Sequence, residues 1–209
     1  LGALASAYSF NGLDQNIEGV IAGLDSLDQS TVAAWVRYVG DAGGQPYDFY
    51  FQLGDYGSHT FAYGYNYSGQ NIDLFSFCTG GIPAYPPSDL RDEWHHVVIV
   101  DSVGYTKLFV DGQVFQEGPG GPGPGCFQGS SSFQIGGGSD DQWVTGDLDD
   151  IGLWSRALTD AEVLALYTGS TSCLVLDMPL DGSATDQSEY GNDGVIDGAT
   201  PATDRFGNP

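Results

Sequence analysis

The chain has 209 residues, and 28 acidic side chains against 5 basic ones give it a formal net charge of −23. A surface this acidic has no cationic track to replace the counterions of a phosphate backbone, which excludes nucleic-acid binding. Uninterrupted apolar runs such as Val97–Val100 are far too short to insert into a membrane. Thirty-two glycines, ten prolines and 13% aromatic residues favour many short strands joined by tight turns. Self-repulsion on this scale calls for salt or cations. Carboxylates and loop carbonyls are the ligands calcium prefers, and a solvated acidic surface in a saline or extracellular setting is the simpler alternative. No signal-peptide pattern opens the sequence, so its first residue is expected to be a mature or internal one.

Tyr8-Ser9-Phe10 reads as a strand ending in the turn Asn11-Gly12, and Gln15–Val20 as a second strand. Thr31–Val39 is the first strong strand, with Val32, Ala34, Val36 and Tyr38 on one face and Ala33, Trp35 and Arg37 on the other. Asp48–Leu53 follows. In Phe61–Tyr67 every second residue is aromatic, so Phe61, Tyr63, Tyr65 and Tyr67 share a face. That face either lines a core or forms a platform for sugar rings, whose flat apolar faces stack on aromatics. Tyr63, Tyr65 and Tyr67, with Trp143, are therefore the carbohydrate-binding candidates. Cys78 and Cys126 each lie in a Gly/Pro-rich loop and are expected to form a disulfide, and with it to mark an oxidising compartment; Cys173 is left over.

Trp94–Val100 and Lys107–Val114 are a second clear pair, with a tight turn at Asp111-Gly112. His95 and His96 point to opposite faces and cannot share a metal; one is expected to be buried and hydrogen-bonded, the other exposed. GPGGPGPG at 118–125 reads as a surface loop, and Phe133–Ile135 as a strand before three glycines. The stretch GDLDDIGLWSRALTDAEVLALY at 146–167 carries clustered carboxylates, a strand and a short helix. Strict alternation puts Asp147 and Asp149 on the face of Ile151 and Leu153. Thr159 and Glu162 form a capping box for the helix at 159–167. Leu174–Gly182 is a strand and turn, Asp186–Asp197 a polar loop, and the final residues show no closing element.

TVAAWVRY, EWHHVVIV, KLFVDGQ, the turn IGGG and above all the stretch at 146–167 resemble, in order and spacing, the laminin-G-like, concanavalin A-like domains of bacterial surface and secreted proteins. The resemblance implies an all-β fold: a two-sheet antiparallel jelly-roll sandwich with one short helix. It also implies carbohydrate binding or adhesion at the cell surface or outside the cell, often with calcium near the sheet rim. By residue, that metal role falls on Asp147, Asp149 and Asp150, and on Asp186 in the DQS loop; hydrogen bonding of backbone amides in a tight corner is their alternative role. Residues 1–169 resemble a domain lacking its usual first strands, and 170–209 resemble the start of the same domain. The segment 174–209 then completes its own sandwich as in a circular permutant, completes a neighbouring copy to give a head-to-tail homo-polymer, or stays unpacked. The expected partners are accordingly glycans or neighbouring copies. Laminarinase-type sandwich hydrolases need a Glu-containing pair of carboxylates on one face, which the cluster lacks, so no enzyme is expected.

Overall fold

The computed structural model describes residues 6–40, 47–54, 61–66, 71–76, 82–84, 90–119, 131–137, 143–169, 176–188 and 190–207. Cys78, Cys126, Cys173 and Tyr67, and the side chains of Tyr63 and Tyr65, lie outside the described residues.

Fifteen strands are described: β1 (Ser6–Asn11), β2 (Asn16–Val20), β3 (Ser30–Gly40), β4 (Tyr47–Leu53), β5 (Phe61–Asn66), β6 (Asn71–Ser76), β7 (Ile82–Ala84), β8 (Trp94–Ser102), β9 (Tyr105–Val110), β10 (Gln113–Pro119), β11 (Ser132–Ile135), β12 (Thr145–Trp154), β13 (Leu176–Met178), β14 (Val195–Asp197) and β15 (Thr200–Thr203). They form two antiparallel sheets. One runs β10-β9-β8-β3-β12-β1-β15, with β13 beside β12; the other runs β14-β2-β11-β4-β5-β6-β7. This is the two-sheet jelly-roll sandwich that the family resemblance implies. Val32, Ala34, Val36 and Tyr38 of β3 face inward, meeting Phe51 and Leu53 of β4 and Phe133 and Ile135 of β11 in the main core. Each such fully buried large side chain contributes about 1.5–3 kcal/mol.

The opposite face of the first sheet is also covered. The helix α1 (Asp160–Tyr167) starts at the expected capping box, where Thr159 Oγ1 accepts from the Glu162 amide and Glu162 Oε2 accepts from the Thr159 amide. Its Val163, with Leu158, packs on Ala33, Val98, Val100, Phe109 and Trp154 to make a smaller second core. Among the described residues no helix is long and apolar enough to cross a membrane.

The C-terminal segment pairs with strands of its own chain, and in both sheets: β13 with β12, β14 with β2 and β15 with β1. Leu176, Met178 and Leu180 are fully buried in the main core. Gly194 lets this segment close on β2, since a Cβ there would sit 2.5 Å from Ile17 Cγ2. The sequence places β14 inside a polar loop and shows no closing element where β15 lies. Both are short strands recruited by the free edges of β2 and β1, and burial of their own side chains plays little part, because all three residues of β14 are exposed.

The bulge in β12 corrects a second expectation. The register between β12 and β3 shifts between Asp149 and Gly152, and Asp150 takes a left-handed φ of 45°. One extra residue reverses the alternation. Leu148, Ile151 and Leu153 all face the core, whereas Asp147 and Asp149 lie on the opposite, helix-bearing face and do not share one with Ile151.

Candidate functional site: a cavity beside the helix

Strand registers lay out the helix-bearing face in rows. One row reads Trp94–Arg37–Asp147, the next His96–Trp35–Asp149, the third Val98–Ala33–Gly152–Asp177 and the fourth Val100–Thr31–Trp154. The third row places only a methyl group and a hydrogen at its centre. Flanked by the indoles of Trp35 and Trp154, that gap becomes a cavity of about 780 Å³. Leu166 and Tyr167 at the end of α1 line one side, and Arg205 and Phe206 of the C-terminal segment another; Trp94, His96, Asp150 and Asp177 are also among its lining residues.

The walls hold one another in place. Trp35 stacks on Tyr167 with ring centroids 5.7 Å apart and lies 5.3 Å from the His96 ring. The Arg205 guanidinium sits 4.9 Å from the Trp35 ring centroid and 4.5 Å from that of Phe206, both within cation–π range. Its Nη1 donates to Asp149 Oδ2 at 2.8 Å, and its Nη2 pairs with Asp150. Burial, with Asp150 and Asp204 nearby, pushes the Asp149 carboxyl up to about 7 in spite of Arg205. His96 is 3% exposed and its Nδ1 is unpartnered among the described residues. Burial lowers its pKa to about 4, against the pull of Asp111, so the ring is neutral at physiological pH. The hydrogen-bonded histidine is instead the less buried His95, whose Nδ1 lies 2.9 Å from Asp111 Oδ2. Full burial and a hydrogen bond, expected to coincide in one of the two rings, fall on different ones.

The four carboxylates expected to hold calcium are not brought together. Asp147 accepts from Arg37 Nε at 2.7 Å, and Asp149 and Asp150 share Arg205. Asp186 accepts from the amides of Asp177, Ser188 and Asn192 and from Ser188 Oγ, all within 2.7–2.8 Å, which organises the loop beneath β14. Guanidinium and amide donors already fill these acceptor positions, so the set as placed does not fit a shared calcium ion; no group of three His, Cys, Asp or Glu among the described residues is arranged to hold a metal. Of the aromatic candidates, Trp143 lies before β12, at the end remote from the cavity. Its ring covers Gly137, whose added Cβ would stand 2.2 Å from Trp143 Cε3. Tyr63 and Tyr65 sit on β5, paired with Phe51 and Asp48 in the other sheet.

Residues 14–164 match the family described as the concanavalin A-like lectin/glucanases superfamily. The chain belongs to that superfamily. The match ends before the C-terminal segment, whose likeness to the family's start is no part of it. No curated protein matches the sequence. Among solved structures, a native heptameric SAP-like pentraxin from Limulus polyphemus has a TM-score of 0.73 at 14% identity, covering 97% of this chain and 96% of that one. A protein from Bacteroides ovatus assigned as carbohydrate binding has a TM-score of 0.72 at 16% identity, over 95% of this chain and 59% of its own. A Trypanosoma rangeli sialidase in complex with the inhibitor DANA has a TM-score of 0.50 at 20% identity, and this chain spans only 22% of it. At these identities the likeness shows the fold alone.

Trp35, Trp94, Asp177, Tyr167, Arg205 and Phe206 were not sequence candidates. One signal was available: Arg205 is one of five basic residues in a chain of net charge −23, and a rare cation in such a chain is expected to be paired.

Proposed function

We propose that the protein is a non-catalytic carbohydrate-binding module acting outside the cell, and that the cavity beside α1 is its binding site. One observation carries this reading. A cavity of about 780 Å³ lined by three tryptophans, a tyrosine and a phenylalanine, with carboxylates at its rim, offers apolar faces for sugar rings and acceptors for their hydroxyls. The superfamily and the Bacteroides ovatus neighbour support a sugar as the ligand. Catalysis is not part of the proposal. Of the two lining carboxylates, Asp150 and Asp177, Asp150 is tied to Arg205, so the cavity lacks two free carboxylates flanking a scissile bond.

A glycan array with intact protein tests the reading. We expect binding that Trp35→Ala abolishes and that joint replacement of Tyr63, Tyr65 and Tyr67 leaves intact. Binding lost only in the tyrosine variant would move the site to β5, and no binding by the intact protein would remove the class. Self-association draws some support from the heptameric neighbour. Because 176–207 pair within their own chain, such assembly would need no donated strands.

A further inference from the structure

We infer that this cavity selects a positively charged amino sugar over its N-acetylated or acidic counterparts, a refinement that rests on the carbohydrate-binding reading above. The charge inventory at the cavity is lopsided. Two carboxylates line it, Asp150 and Asp177, against one lining guanidinium, that of Arg205, and His96 is neutral. Asp149 and Asp150 share that guanidinium, which leaves Asp177 to itself.

Asp177 is held at its backbone. Its amide donates to Asp186 Oδ1 at 2.8 Å, and its carbonyl accepts from the Gln187 amide at 2.6 Å. Its carboxylate has no hydrogen-bond partner or ion pair among the described residues, yet it is half-buried at the cavity wall, at the end of the Ala33–Gly152 floor. Burial, with Asp150 and Asp186 close by, raises its pKa. A fixed acceptor in that state is relieved by a ligand that brings a proton donor with a positive charge. A carboxylated or sulfated ligand would add repulsion at the same point.

The aromatic faces agree with this. In a chain with five basic residues, two guanidiniums lie over rings that line this cavity: Arg205 over Trp35 and Phe206, and Arg37 5.7 Å from the Trp94 ring centroid. The walls thus already accept cations by their ring faces, and an ammonium carried on a pyranose meets the same surfaces while its apolar face stacks. An N-acetyl group removes the charge. A lysine-rich peptide carries the same charge without the flat ring that five aromatic walls favour, which makes the sugar the better-matched occupant.

The test titrates the intact protein with four soluble probes: a glucosamine tetramer, an N-acetylglucosamine tetramer, a galacturonate tetramer and tetralysine. Calorimetry at about pH 6.5 in ~0.15 M salt screens attraction to distant carboxylates. The glucosamine tetramer is expected to bind about tenfold more tightly than the N-acetylated one, as a charged hydrogen bond implies. Asp177→Asn should level the two, and Glu18→Gln, which removes one exposed charge on β2, should leave the ratio unchanged. Equal binding of the two tetramers, unaffected by Asp177→Asn, overturns the charge selection and leaves the carbohydrate reading standing. Tightest binding of the galacturonate tetramer also overturns the selection. Tighter binding of tetralysine overturns the sugar as occupant. Failure of all three saccharides, together with a blank glycan array, overturns the reading beneath.

Discussion

Arg205 is the clamp between the C-terminal segment and the rest of the sheet, and replacing it by methionine gives a prediction with a built-in pH signature. The side chain is 16% exposed and its main partner, Asp149, is 3% exposed. Breaking a buried pair ordinarily costs about 3–5 kcal/mol because a bare charge remains. Here Asp149 has an escape: with its pKa already about 7, it can take up a proton. At about pH 8 the charged form lies only ~1.4 kcal/mol below the neutral one, so retreat to the neutral form limits the electrostatic loss to that amount. Lost stacking and stem packing add about 1–2 kcal/mol at any pH. Arg205→Met is therefore expected to cost about 3 kcal/mol at pH 8 and about 1.5 kcal/mol at pH 6, where Asp149 is mostly neutral in the intact protein. Urea unfolding followed by tryptophan fluorescence at the two pH values measures both. Asp149→Asn in the same background should remove the pH dependence. A cost that is equal at the two pH values, or unchanged by Asp149→Asn, would refute the coupling.

Three further outcomes are expected. Asp101 is fully buried; its Oδ1 accepts from Thr106 Oγ1 at 2.5 Å, its Oδ2 has no partner among the described residues, and burial pushes its pKa up to about 7. Because the folded pKa lies above the unfolded one, the native state binds more protons between the two values; stability should rise as pH falls from about 8 to about 5, and Asp101→Asn should flatten that slope in urea titrations. Asp186→Ala removes an acceptor of four hydrogen bonds and should cost about 3 kcal/mol, equally with calcium or with chelator; a calcium-dependent rise in Tm that this variant abolishes would assign the residue to a metal after all. Leu176→Ala, in a fully buried position of β13, should cost about 2–5 kcal/mol by chemical denaturation, and a negligible loss would mean that the segment does not pack as described.

Much of the frame was legible because its signals are local. The alternation in Thr31–Val39 and in Trp94–Val100 gave β3 and β8, and Thr159 with Glu162 marked the start of α1. The site was harder to read because it depends on distant residues and on what is missing. Ala33 and Gly152 look unremarkable until the register sets them side by side between Trp35 and Trp154. Arg205 reaches Trp35 only because β15 pairs with β1, and Thr-Pro-Ala-Thr carries little strand signal of its own. Period-two counting failed at Asp150, where a bulge reversed the faces and turned apparently inward aspartates into partners for arginine.

The most direct measurement is a crystal structure of the protein grown with a glucosamine tetramer. The account predicts a sugar ring between Trp94, Tyr167 and Phe206, with its amine on the Asp177 carboxylate. Sugar density across β5, with the cavity beside α1 empty, would contradict it.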